Sequence, residues 1–232
     1  MTAQAPSNGE RGGERLVRHN ASEAVAAHVR RLIFDGELRQ GDKVPQQEIA
    51  DALGVSRIPV REALVALERD GVVTIEPHRG AFVNAFDSAA VEDHYELYGL
   101  IYGHATRRCV ERADDAVLDE LNALAKEIAS ETRPGPMLER ATGFHALVHR
   151  VGGSPRLRAI LHSLSGVVPG NFFEAIPGAL EIARRAFPEI VAAMKARDAE
   201  AAAERCRAMH SAQGERVVAV LEDRGLFGRG DA

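Results

Sequence analysis

The sequence predicts a mainly α protein in two parts: an N-terminal winged helix-turn-helix with a small β-hairpin wing, then an all-α bundle of six helices. Three observations lead there. Before Arg69, apolar residues recur at helical spacing in three short segments, and only Val55 separates Gly54 from Ser56 at the second junction. A β-rich run, VVTIEPHRGAFVNAF, then folds about a Pro77–Gly80 turn. From Asp87 to Leu221, Ala, Leu, Glu and Arg recur at helical spacing with no strand-like run.

Each element has a local cause. Residues 1–19 are rich in Gly, Ser, Gln, Glu and Arg with little to bury, which predicts a mobile tail. Val25, Val29, Leu32 and Ile33 mark a first helix, with Ser22 as its N-cap and Gly36 as its stop. Pro45 opens a short second helix that ends at Gly54. In the third helix Val60, Ala63, Leu64 and Leu67 form the apolar stripe, and Pro59 falls in the first turn, where a missing N–H is harmless. Residues 20–86 are therefore read as one domain and 87–232 as a second. The latter's helices are expected near 88–112, 115–131, 136–151, 155–168, 179–197 and 199–223, with Pro188 kinking or restarting the fifth.

Composition narrows the function classes. The 232 residues carry a formal net charge of -5 and two cysteines 97 positions apart, too far for a spaced metal pair and too few for a disulfide framework. A reducing cytoplasmic setting is expected. No stretch approaches the roughly 18 apolar residues of a membrane span, and the first twenty residues contain no signal-peptide core. Enzyme signatures are missing too: there is no GxxxxGK[ST], GxSxG or HExxH motif.

The helix-turn-helix assigns roles to particular residues. A third helix that enters the major groove needs long donors near its N-terminus, and Arg57 and Arg61 stand there four apart, on one face. The alternative for the pair is an ordinary solvated face, in a region where acidic and basic residues nearly balance. Ser56 as N-cap, Gln47 at the start of the second helix, and Arg79 with Gly80 at the hairpin tip suit phosphate or groove contacts.

The run IADALGVSRIPVREALVALERDGVVTIEPHRGAFV closely resembles the DNA-binding domain of the GntR family of bacterial transcription regulators; ALGVSR, PVREAL, LERDGVV and RGAFV occur in the family's order. The C-terminal part of the chain resembles the all-helical effector domain (FCD) of the FadR-type branch in its shorter, VanR-like form. The resemblance implies a regulator, read as a repressor, that binds a palindromic double-stranded DNA operator as a homodimer and responds to a small-molecule effector. Carried over residue by residue, DNA contacts fall on Gln47, Ser56, Arg57, Ile58, Pro59, Arg61, Arg79 and Gly80. Ile58 stands where the family often has Thr, exchanging a hydroxyl for a methyl-rich contact such as a thymine methyl. A winged-helix protein-interaction module without DNA binding is the other reading.

The same resemblance implies a divalent metal held by an Asp and a His four apart and two later His. Here Ala141 stands four before His145, and Phe187 takes the next ligand position. No cofactor is therefore expected; a rebuilt metal site would draw on His145, His149, His162 and His210 and bind a small organic acid. The favoured effector is a hydrophobic carboxylate or acyl compound near Tyr98, Tyr102, His145, His149, Phe187 and His210. For the histidines the alternative is a core residue with satisfied hydrogen bonds, and for the tyrosines ordinary packing. Cys109 and Cys206 read as oxidant sensors or as small buried hydrophobes.

Overall fold

A computed structural model describes residues 8–85, 87–164, 168 and 170–227, with side chains from residue 21 onward. The chain divides into two compact units, Met1–Ala85 and Phe86–Ala232.

The first unit contains α1 (Asn8–Phe34), α2 (Gln46–Leu53), α3 (Arg57–Arg69) and the antiparallel pair β1 (Val73–Glu76) and β2 (Gly80–Val83), in register Val73↔Val83 to Glu76↔Gly80. Helix α1 begins at Asn8 and not at Ser22, so Ser22 is a helix-interior residue and the expected tail is helical from Asn8. The upstream Glu, Arg and Leu residues are good helix formers, and Ser22 alone does not stop a helix. Residues 1–7 lie outside the described residues.

Val25 and Val29 of α1, Ile49 of α2, Leu64 and Leu67 of α3, and Val73 and Ala81 of the hairpin form one buried core. At the second junction Gly54 adopts a left-handed conformation (φ 63°) that caps α2, and Ser56 then starts α3. The wing is pinned to the core on two sides. The Val44 N–H donates to the Ala81 carbonyl at 2.8 Å, and the Glu68 carboxylate accepts from the Ile75 N–H at 2.8 Å.

The second unit contains α4 (Ser88–Arg112), α5 (Asp115–Ser130), α6 (Pro134–Gly152), α7 (Pro155–Leu164), α8 (Phe172–Ala175), α9 (Ala179–Lys195) and α10 (Ala199–Asp223). Six of these are the expected helices. The seventh, α8, is one turn capped by the Asn171 side chain and is too short to show periodicity in the sequence. Residues 165–167, at the expected end of the fourth bundle helix, lie outside the described residues. Helix α9 runs through Pro188 without restarting. The lost hydrogen bond and ring crowding cost about 3 kcal/mol, offset here by burial of Phe187, Ile190, Val191 and Met194 on either side. The same helix stops at Lys195, short of residue 197, because Arg197 turns left-handed (φ 56°) and its guanidinium donates to the carbonyls of Val110 and Ala113.

Helix α4 lies at the centre of this unit, against α6 and α10. Its packing against α6 is extremely close: a Cβ on Gly152 would stand 2.0 Å from the Ala105 carbonyl oxygen. Against α10, Gly99 brings the His210 Cβ to 3.3 Å of where a Cβ would stand, and Gly103 does the same for the Ala203 carbonyl at 3.1 Å. Gly152→Ala is expected to lower stability by about 3 kcal/mol, since backbone must move to admit the methyl. Gly135, where a Cβ meets nothing within 4 Å, serves as the control, and Gly135→Ala should leave urea-denaturation midpoints unchanged or slightly raised.

Candidate nucleic-acid interface and a buried histidine cluster

The buried stripe of α3 (Val60, Ala63, Leu64 and Leu67) fixes which side of the helix meets solvent. Arg57, Ile58, Arg61, Glu62 and Val65 share the outer side. Ile58 and Val65 are 56% and 60% exposed, large apolar side chains held in water beside two arginines. This combination suits a DNA groove, where guanine edges take forked donors and thymine methyls take apolar contacts. Pro59 turns inward and is buried, so it presents nothing to a groove. Ser56 caps the helix with extended backbone, and its hydroxyl makes no cap hydrogen bond.

The Arg57 side chain is held in place. Its Nε donates to Gln47 Oε1 at 2.7 Å, and Gln47 Nε2 donates in turn to Asp51 Oδ1 at 2.7 Å. This chain fixes the orientation of the Gln47 amide and spares the terminal nitrogens of Arg57 for a ligand. At the wing, Arg79 pairs with Glu76 and lies over the Phe82 ring, 5.4 Å from its centroid. Lys43, Gln47, Arg57, Arg61, Arg79 and Gly80 line one concave surface between the start of α3 and the hairpin tip. Gly80 is conformationally required there: its φ is +114°, and a Cβ would sit 2.9 Å from the Lys43 side chain.

In the second unit, all six residues assigned to the effector come together. The fully buried Tyr102 ring on α4 has the rings of His145 and His149 on α6 at 4.7 and 5.2 Å and that of His210 on α10 at 5.1 Å. Tyr98 lies 4.6 Å from His210 with the rings inclined at 52°, and Phe187 on α9 lies 5.6 Å from His145. His104 and His162 are exposed and lie outside this buried cluster. Among the described residues, five buried polar atoms in the cluster have no hydrogen-bond partner: Tyr102 Oη, His145 Nδ1, His149 Nε2, and both ring nitrogens of His210. Gln213 lies beside His210 without meeting hydrogen-bond geometry.

Burial sets the ionisation of the cluster. It pushes His149 and His210 down to about 4 and His145 well below the usual histidine range, so the three rings are neutral at pH 7. It holds Tyr102 well above the ordinary phenol value. The Cys206 thiol, bonded to Thr106 at 3.3 Å, is pushed up to about 12, and Cys109 to about 11. Neither carries the thiolate that oxidant sensing needs.

Residues 21–83 match the family described as "Bacterial regulatory proteins, gntR family", and residues 93–212 match the FCD domain. The chain belongs to the GntR family. An uncharacterized HTH-type transcriptional regulator of Mycobacterium tuberculosis is 33% identical over 86% of this chain and 82% of its own length. The Nta operon transcriptional regulator of Aminobacter aminovorans is 31% identical over 55% of this chain and 61% of its own. Among solved structures, E. coli McbR/YncC shares the fold with a TM-score of 0.59 at 22% identity, over 88% of this chain and 98% of its own. This GntR-family chain is a DNA-binding transcriptional regulator and not an enzyme. Among the described residues no helix is long and apolar enough to cross a membrane.

The metal that the FCD branch implies does not fit these residues. Ala141 and Phe187, at two of the implied ligand positions, are buried and offer no donor atom. Among the described residues no three His, Cys, Asp or Glu side chains are placed to hold an ion. The exposed His162 does not complete a set with the buried rings.

Sequence reasoning missed Asp51, Lys43 and Val65 at the interface. Asp51 sits four residues after Gln47 in α2, a spacing that signals an i,i+4 hydrogen bond. Asp51→Ala removes a negative charge near DNA, which by itself strengthens binding to any sequence. It also frees Gln47 and Arg57, which weakens sequence-specific binding. The expected result is a lower ratio of specific to non-specific affinity, by about fivefold, the scale of one lost hydrogen bond. Asp51→Asn keeps the acceptor oxygen and should retain the ratio. Titrations against a duplex selected by the wild-type protein and against a scrambled duplex measure both.

Proposed function

We propose that this regulator is a ligand-responsive repressor that binds a palindromic operator as a homodimer in the cytoplasm. Residues 20–86 read DNA, and residues 87–232 bind the effector and dimerise. The observation that carries the DNA reading is the outer face of α3, where Arg57, Ile58 and Arg61 project beside the wing residue Arg79. In this reading Ser56 and Gly80 lie against phosphate and sugar, Arg57 and Arg61 reach base edges, and Ile58 meets a thymine methyl. Gln47 acts by holding Arg57.

Palindromic recognition places two such helices about 34 Å apart, one turn of DNA. A dimer platform is supported by Leu97 and Leu100, one turn apart on α4 and 52% and 47% exposed. The effector is a hydrophobic carboxylate or acyl compound, bound at the Tyr102 cluster, where aromatic rings surround unpartnered polar atoms. It regulates by binding two arrangements of the paired DNA-reading domains with different affinity.

Selection from a random-sequence duplex library followed by titration tests the reading. An enriched inverted repeat, bound with an affinity that falls steeply as salt rises, is the expected outcome; no enrichment would refute it. Arg61→Ala should lose about 1–3 kcal/mol on the selected duplex and little on a scrambled one. Leu100→Glu places a charge in the dimer patch and should shift the sedimentation coefficient from dimer towards monomer while leaving the helical circular-dichroism signal intact.

A further inference from the structure

In the Tyr102 cluster Tyr102 and His210 are buried and His145 and His149 half-buried against them, the rings are neutral, and polar atoms are left unsatisfied; these properties together define a ligand chemistry. Polar atoms on three separate helices, α4, α6 and α10, are each left without a partner around one ring. Buried polar atoms are nearly always paired, with protein, water or a ligand. A divalent ion is a poor partner here, since Ala141 and Phe187 supply no ligand atom and no three-ligand group exists among the described residues.

We propose that Tyr102, His145, His149 and His210 form a metal-free recognition site for one uncharged acyl group that carries both an acceptor and a donor: a carboxylic acid bound with its proton, or a primary amide. The proposal rests on the effector reading and specifies its chemistry. Each neutral imidazole offers one N–H and one lone pair, and the phenol can donate or accept. Such a set satisfies a carbonyl oxygen and the adjacent O–H or N–H together, whereas a lysine or arginine set could only donate. Among the described residues no cation belongs to the cluster. Arg158 on α7 influences His149, and Arg207 on α10 flanks Cys206, but neither is one of the buried ring residues. A phosphate or sulfate would therefore bring charge that nothing in the cluster neutralises. Burial keeps the three rings in the neutral form that this pairing uses. The Phe187 and Tyr98 rings beside His145 and His210 leave the rest of the ligand an aromatic, apolar wall.

Thermal denaturation and calorimetric titration of the chelator-treated full chain test this with four probes, octanoic acid, octanamide, benzoic acid and benzamide, and with inorganic phosphate as the charged control. At least one acid or amide should raise the melting temperature and keep doing so in the chelator, whereas phosphate should not. Acid against amide decides the source of the acyl group. Tyr102→Phe keeps the ring and deletes one unpartnered hydroxyl. It should raise the melting temperature of the free protein by about 2–4 °C and weaken the bound probe about tenfold. A merely structural tyrosine would instead lose stability on the same change. Three results overturn the site: no shift with any of the four probes, a shift that needs added Zn, Mn or Ni, or unchanged probe affinity in Tyr102→Phe. Duplex selection by the same preparation separates these results from failure of the regulator reading, since DNA binding by α3 does not depend on the cluster's chemistry.

Discussion

The approach of α4 to α6 and α10 is the constraint on which the helical unit depends. At Gly152 the two backbones come closer than any side chain permits, and Gly99 and Gly103 open the opposite side of α4 to α10. Helices this close bring Tyr102, the His145 and His149 pair, and His210 to one place from three distant parts of the chain. The close approach also covers their polar atoms, and that desolvation favours neutral rings and makes the unpaired atoms consequential. A looser crossing would leave four ordinary polar residues on wet helix faces.

The DNA-reading unit rests on a different balance. Its core uses the inner stripe of α3, so the outer side is free to carry residues that stability alone would not select. Ile58 and Val65 are exposed there with no core to gain from. Arg57 is ordered at the surface through Gln47 and Asp51, so part of its rotamer entropy is lost in folding and not on binding a ligand. An acidic residue close to Arg57 is thus compatible with the proposed DNA contact, because it acts through an amide that spaces the two charges.

The two units use polar groups in opposite ways. At α3 the charges stay in water, so each ion pair contributes little and the surface is open to phosphates. At Tyr102 there is no charge, and the free energy lies in unmade hydrogen bonds. Replacing an Asp and a His by Ala141 and Phe187 changes more than a ligand set. With those residues the proposed site would discriminate by hydrogen bonding and shape in place of a cation.

Much of this protein was legible in its sequence. Local signals such as Gly54, Ser56 and the stripe Val60, Ala63, Leu64 and Leu67 determined the helix-turn-helix, because helix stops and 3.6-residue periodicity act over neighbours in the chain. The bundle helices were legible for the same reason, and the inward faces of His145 and His210 were anticipated from their apolar stripes, while Phe187 was placed beside them by the family resemblance. Tertiary structure decided the rest. Whether α9 survives Pro188, whether Pro59 faces in or out, and whether His162 joins the buried rings depend on what packs against each helix. Most of all, it decided that the histidines are unsatisfied, since a hydrogen bond is made or lost by distances of tenths of an ångström between helices that periodicity alone cannot place.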